Sequence, residues 1–217
     1  MRIFVAIPAY DGKVCVETLD SLLGEVLLGF SQKHVIDVRV LPGCSAIAAA
    51  RNSLVQDFIE SDYDRLFFLD ADVGFTPGDI VKVCENPHDL VGGAYRYKRE
   101  EEAYAVHWDD NDLWSDETGA IPVRGLGTGF LAISRDCLAK VREKYGPRTY
   151  SDGEREVYAY FDMPFDGMLW GEDLRFCHMA KESGVTCYVL PEMTLTHVGG
   201  KQYVGHLGGW LRNRTAQ

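Results

Sequence analysis

The chain has 217 residues, 46% of them hydrophobic and 25% charged, enough to bury one core of ordinary domain size. Its formal net charge of −11 argues against a nucleic-acid backbone or an anionic membrane as the main partner. A nucleotide ligand stays open, because a metal ion and a few Arg or Lys side chains can hold a diphosphate.

No apolar run approaches the roughly 18–20 residues of a membrane span. The first such run, Ile3 to Ala9, is too short for a secretory signal and contains Pro8. Six cysteines (Cys15, Cys44, Cys84, Cys137, Cys177, Cys187) lie far apart with no CxxC pair, mostly inside apolar patterns where a thiol acts as a small hydrophobe. The expectation is a soluble, cytoplasmic protein in a reducing compartment.

In chain order, Arg2 to Pro8 reads as an apolar strand closed by the turn residues Asp11-Gly12. From Val14 to Phe30, Leu19, Leu22, Leu23, Val26 and Leu27 recur at helical spacing. Val35 to Leu41 is a strand ended by Pro42-Gly43. Ser45 reads as the cap of a helix to about Ser61, with Ile47, Leu54, Val55, Phe58 and Ile59 on adjoining rows of one face. Arg65 to Leu69 is a strand with the apolar continuity of one buried on both faces. Thr76-Pro77 marks the next helix start, and Asp89 to Ala94 a fourth strand. This β-α-β-α-β-α-β order is half of a doubly wound sheet.

The second half differs. Ala103 to Trp108 and Asp112 to Trp114 suggest a hairpin. Gly125 to Ile133 is glycine-dense and then apolar, ahead of a helix capped by Ser134. Glu156 to Phe161 reads as a strand, Gly171 to Gly184 as a helix with a glycine stop, and Cys187 to Leu190 and Thr194 to His197 as short strands. The segment from Gly199 to Trp210 holds five glycines in twelve residues, so a tail that only a ligand orders is expected. The whole reads as one domain: a first half (1–100), a second half (101–198) and the tail (199–217).

The chemistry gathers where the Arg65 strand runs into Asp70-Ala-Asp72. Residues i and i+2 of a strand point the same way, so both carboxylates are expected together at the carboxyl end, where open α/β sheets bind ligands. Paired carboxylates are costly to bury but suit Mg²⁺ or Mn²⁺ carrying phosphates. They read equally as turn and cap residues ending a strand.

Four segments together resemble the GT-A glycosyltransferases, especially the inverting nucleotide-sugar enzymes. They are Pro8-Ala-Tyr-Asp11 after the first strand, Asp70-Ala-Asp72, Gly127-Thr-Gly-Phe-Leu-Ala-Ile-Ser-Arg135, and Trp170-Gly-Glu-Asp-Leu-Arg-Phe176. The resemblance implies an α/β, Rossmann-like three-layer sandwich, its central sheet mostly parallel, with a smaller antiparallel acceptor-side part. It implies that Pro8, Ala9, Tyr10 and Asp11 line the base and ribose pocket and that Asp70-Ala71-Asp72 is the DXD metal site. Gly129 would lie beneath the donor sugar. Asp72 would bind Mn²⁺ (or Mg²⁺) directly, Asp70 would reach the ribose or a metal-bound water, and His197 would complete the site. One imidazole among oxygens favours Mn²⁺. Arg51 would contact the DXD region or the phosphates, and Lys201, with Tyr203 and His206, would close over the diphosphate.

On the acceptor side, Asp173 is the implied general base, grouped with Glu172 as catalytic, and Trp170 the implied sugar platform. Acids also simply favour a helix N-terminus. Trp108 and Trp114 extend the acceptor site or pack in the core. The implied partners are a nucleoside-diphosphate sugar, UDP-hexose first, and a glycan acceptor, in a free-standing enzyme or one domain of a longer synthase.

Two other classes compete. In a haloacid-dehalogenase-like phosphatase, Asp70 and Asp72 would be nucleophile and acid, but that motif closes the first strand and is followed by Thr or Val where Gly74 stands. A sugar-nucleotide-binding module without catalysis has no need to keep both Asp70/Asp72 and Asp173. A dinucleotide-dependent oxidoreductase fits less well, since Gly125-Leu-Gly-Thr-Gly does not open a helix after a first strand.

Overall fold

The computed structural model describes residues 1–109, 114–165, 167 and 169–215, the last two by their backbone. In chain order the elements are β1 (Arg2–Ala9), α1 (Val16–Ser31), β2 (Val35–Pro42), α2 (Ile47–Ile59), β3 (Arg65–Leu69), β4 (Val73–Gly74) and α3 (Asp79–Glu85). Then come β5 (Leu90–Gly92), β6 (Val106–His107), β7 (Ile121–Val123), β8 (Gly125–Leu126), β9 (Phe130–Ser134), α4 (Arg135–Tyr145), β10 (Thr149–Ser151) and β11 (Glu156–Tyr158). The chain closes with α5 (Glu172–Glu182), β12 (Cys187–Val189), β13 (Thr194–Val198), β14 (Gln202–His206) and α6 (Leu207–Thr215).

Seven strands form the central sheet in the order β2-β1-β3-β9-β5-β12-β7. β2, β1, β3, β5 and β12 run one way; β9 and β7 oppose them. Two apolar cores lie on its two faces, one around Phe58, Phe68 and Phe161, the other around Phe67, Phe75 and Phe130. β3 is fully buried along its length, as its unbroken apolar run implies. The expected three-layer α/β arrangement, mostly parallel in its sheet, is present.

The doubly wound half is interrupted at one place. β9 inserts antiparallel between β3 and β5, with Leu69 opposite Phe130, so the start of β9 sits at the carboxyl end of the parallel strands. Gly92 permits the close approach: a Cβ there would lie 2.3 Å from the Phe130 carbonyl oxygen. A second sheet, β14-β13-β4, hangs below that same edge.

Several local expectations change. Ser45 does not cap α2; Ala46 takes the position without a side-chain bond. Thr76 does not cap α3 either. The cap comes from α1: buried Glu25 accepts the Gly78 and Val81 N–H groups, the latter at 2.9 Å. Ser134 does cap α4, accepting from the Cys137 N–H at 2.9 Å. Val106–His107 pairs with Gly125–Leu126 rather than with a neighbouring hairpin strand; part of that expected strand, 112–113, lies outside the described residues. Trp108 packs against the core and Trp114 is exposed. The strand at 156 is short and pairs with β10 outside the main sheet. The glycine-rich tail is β14, laddered on β13, followed by α6. Cys84, Cys137, Cys177 and Cys187 are buried. No helix among the described residues is long and apolar enough to cross a membrane.

The largest departure is α1. Of its helically spaced row only Leu22 is buried; Leu19, Leu23, Val26 and Leu27 are exposed, with Phe30 83% exposed. The inward face is Thr18, Ser21, Leu22, Glu25 and Gly29. Ser21 bonds the Phe75 backbone on both sides, at 2.7 Å to its oxygen and 2.9 Å from its nitrogen. Gly29 makes room for Ile36. Polar bonds to the α3 region, not apolar burial, dictate which side turns in.

Glu25→Ala should cost about 1–3 kcal/mol in urea unfolding, since two N–H groups at the start of α3 lose their acceptor. Burial raises the Glu25 pKa, against the opposing pull of the Gly78 and Val81 N–H groups. A carboxyl with a raised folded-state pKa loses stabilising effect as pH climbs above its unfolded value of about 4.3. The deficit of Glu25→Ala should therefore narrow from pH 4 upwards, and one that widened would show the opposite shift.

Candidate functional site

At the carboxyl end of β1 and β3 lies a cavity of about 300 Å³. Pro8, Ala9, Tyr10, Asp11, Arg51, Asp70, Ala71, Asp72 and His197 all line it, joined by Cys44, Ser45 and Ile47, which the sequence reading did not single out. Parallel strands stop together there, and their loops must leave over the same edge. Tyr10 is 67% exposed at its mouth.

Both carboxylates line this cavity, although neither stands on the strand itself. β3 ends at Leu69, and residues 71–72 form a turn fastened by the Val73 N–H to the Asp70 oxygen at 3.2 Å. Each carboxylate therefore meets its own cation. Asp70 accepts from Arg51 Nη2 at 3.1 Å. Asp72 pairs with Lys98 and lies 3.5 Å from His197 Nε2.

Arg51 is buried, 4% exposed, and its other terminal nitrogen bonds Glu172. One guanidinium thus joins the Asp70–Asp72 turn to the start of α5. Burial alone would lower its pKa, but Asp70 and Glu172 outweigh that and raise it. Its neighbour Asn52 is also buried and clamps Phe161, accepting from its N–H at 2.7 Å and donating to its carbonyl at 2.8 Å.

Gly129, just before β9, accepts from the Asp70 N–H at 3.0 Å and donates to the Tyr95 hydroxyl at 3.3 Å. A Cβ at residue 129 would lie 2.4 Å from the Asp70 carboxylate. Burial, then the Asp70 charge, drive the Tyr95 phenol well above its ordinary pKa, so it stays a neutral donor.

The second sheet delivers His197. Val73 stands opposite His197, and the Val198 N–H bonds the Asp72 carbonyl at 2.8 Å. The imidazole Nδ1 bonds the Arg96 carbonyl at 2.7 Å, so that nitrogen carries a proton and Nε2 is the one that faces Asp72. Burial would raise the Asp72 pKa, but His197 and Lys98 outweigh it and hold it below the usual carboxylate range. Lys98 follows β5 at the carboxyl edge. That position, within the cationic run Arg96-Tyr-Lys-Arg99, was the signal for it.

Asp173 sits in the first turn of α5, its Oδ1 taking the Leu174 N–H at 2.7 Å. Tyr97 faces it: burial first, then the Asp173 charge, raise that phenol. Glu172 is not free, being held by Arg51. Trp170 does not line this cavity. It stacks on His178, centroids 5.0 Å apart, at a separate cavity of about 450 Å³ with Arg124 and Lys181. Lys201 is also elsewhere, bonded to Glu100 at 2.6 Å and seated over Tyr203. His206 lies 3.6 Å from Glu192. Of the expected closing residues, Tyr203 alone is tied to the site, opposite His197 in the ladder.

Among the described residues no group of three or more His, Cys, Asp or Glu side chains forms a ready metal cage. Asp72 and His197 make two donors of the right chemistry, which fits a divalent ion that draws its remaining ligands from phosphates and water.

No family model and no curated protein matches this chain. Solved structures do. A197 from STIV is 26% identical over 92% of this chain and 86% of its own, with a TM-score of 0.61. A mutant of Drosophila β-1,4-galactosyltransferase 7, solved with manganese, UDP-Gal and xylobiose, is 13% identical over 100% of this chain and 76% of its own, at 0.52. TarS of S. aureus is 14% identical over 88% of this chain and 35% of its own, at 0.50. These likenesses, with the mixed sheet, establish a GT-A-like fold.

Arg51→Met should destabilise the protein by about 3 kcal/mol or more in urea, because it leaves Asp70 and Glu172 without their shared cation. Adding Glu172→Gln to Arg51→Met should recover part of that loss. No recovery would show that the guanidinium acts by packing alone.

Proposed function

We propose that this protein is a glycosyltransferase that moves a sugar, UDP-hexose being the first donor to test, onto a carbohydrate hydroxyl with the help of a divalent cation. The observation that carries the reading is one cavity. Pro8 to Asp11, Arg51, Asp70 to Asp72 and His197 meet there, at the carboxyl end of a sheet shared in fold with a galactosyltransferase solved with manganese and UDP-Gal.

The nucleotide base and ribose belong against the Pro8–Asp11 turn, with exposed Tyr10 as the stacking surface. Asp72 and His197 would hold Mn²⁺ or Mg²⁺. Such an ion supplies positive charge to a diphosphate leaving group. Lys98 pairs with Asp72, so it is the residue to pair with a phosphate oxygen once Asp72 is engaged by the ion. Arg51 holds Asp70 in place, and Gly129, lacking a Cβ, lets Asp70 and Tyr95 pack against its backbone beneath the donor-side cavity.

Asp173 takes the acceptor hydroxyl's proton as that oxygen attacks the anomeric carbon, inverting it. Its Oδ1 is already engaged by the Leu174 N–H, which leaves the other oxygen for the proton. Glu172 is a positioning residue here, since its carboxylate is committed to Arg51. Trp170 and its cavity offer a surface for a more distant part of a glycan acceptor.

Calorimetric titration with UDP, GDP and dTDP, each with Mn²⁺ and then with excess EDTA, is the direct test. One nucleotide should bind with metal and weaken at least tenfold in EDTA, and Asp72→Ala should abolish binding. If none of the three binds under either condition, the proposal fails. Asp173→Asn should keep nucleotide affinity within about twofold while losing about 10²-fold or more in transfer, the scale of general-base catalysis. Unchanged transfer would remove Asp173 from the mechanism.

A further inference from the structure

The donor-side cavity leaves unexplained the surface on the far side of β1. There α1 turns its apolar row outward, with Leu23 57%, Leu27 73% and Phe30 83% exposed. Beside it β2 is the last strand of the sheet, and β1 is its one neighbour. Its Val38 and Val40 are 40% and 39% exposed. Ile36 of β2 faces α1, being the side chain that Gly29 accommodates, so Val38 and Val40, two and four residues on, share that face. An open sheet edge thus borders a helix that shows its apolar face to solvent. Soluble monomers rarely carry such a surface, and it marks an interaction site.

We propose that β2 pairs antiparallel with β2 of a second copy of this chain, about a two-fold axis at Val38, bringing the exposed faces of the two α1 helices together. The sequence of β2 is self-complementary in that register. Ile36 falls opposite Val40 of the copy and Val38 opposite Val38, all on the α1 side. On the other side Asp37 falls opposite Arg39 and Arg39 opposite Asp37, two cross-strand ion pairs between side chains that are exposed in the single chain.

The backbone agrees with this register. The Val35 N–H bonds the Met1 carbonyl, so odd-numbered residues of β2 direct their amides to β1 and Ile36, Val38 and Val40 direct theirs outward. Those are the residues the two-fold pairing would hydrogen-bond. A two-fold contact of this kind is isologous, the commonest closed arrangement of soluble oligomers. It joins two sheets edge to edge and places α1 beside its copy on one face.

A membrane surface is the poorer occupant. α1 carries Glu17, Asp20 and Glu25 and no Lys or Arg, whereas helices that lie on anionic lipid are rich in both. Both donor-side and acceptor-side residues lie off this surface, so the pairing is independent of the glycosyltransferase reading.

Sedimentation equilibrium of the full chain tests it. A species of twice the 24.3 kDa chain mass is expected. Leu27→Glu with Phe30→Glu, both at exposed positions, should weaken dimerisation at least tenfold while the circular dichroism spectrum and melting temperature stay unchanged. Asp37→Arg alone should also weaken it, and adding Arg39→Asp should restore it, which only the Val38-centred register predicts. A monomer at every concentration overturns the proposal. So does a dimer indifferent to all four substitutions, and so does a monomer that binds phosphatidylserine vesicles and loses that binding with Leu27→Glu.

Discussion

One buried guanidinium holds the two halves of the candidate site in register. Arg51 comes from the second turn of α2, and its two terminal nitrogens reach carboxylates from distant stretches, Asp70 and Glu172. A charge with so little exposure is tolerable only when fully paired, and each carboxylate in turn needs the cation. The position of α5, and with it Asp173, is therefore coupled to the Asp70–Asp72 turn. Asn52 works in parallel, fixing the Phe161 backbone in the stretch that leads to Trp170.

The rest of the site follows from what is stacked around that tie. β9 runs against its neighbours, so its beginning, Gly129, lies under Asp70 at the edge where the parallel strands end. The second sheet carries His197 to Asp72 by backbone pairing with β4, two residues that follow Asp72 directly. Asp72 is left facing Lys98 and His197, Asp70 facing Arg51. Two carboxylates with a single residue between them thus have different electrostatic surroundings.

α1 shows how a polar commitment can overrule hydrophobic patterning. Glu25 caps α3, and Ser21 secures the Phe75 backbone on both sides. Turning the leucine row inward would break all of these bonds and turn Gly29 away from the Ile36 side chain it accommodates. The bonds win, and the apolar row is left for another surface.

Alternation of strands and helices, the buried character of β3, the capping of α4 by Ser134 and the gathering of motifs at strand ends were all legible in the sequence, because each depends on neighbours a few residues apart. The Pro8–Asp11 turn, Asp70, Asp72 and His197 were named from it and do line one cavity. Folding alone decided other partners reached across the chain: Lys98 on Asp72, Glu172 as the second carboxylate on Arg51, Glu25 as the cap of α3, and Trp170 in a cavity of its own. It also decided that β9 lies antiparallel between β3 and β5, and that the glycine-rich end becomes a strand laddered on β13. Local periodicity tells a segment what shape to take. Which charge meets which, and which face turns inward, depends on groups dozens of residues apart that share one small volume only when every element is in place.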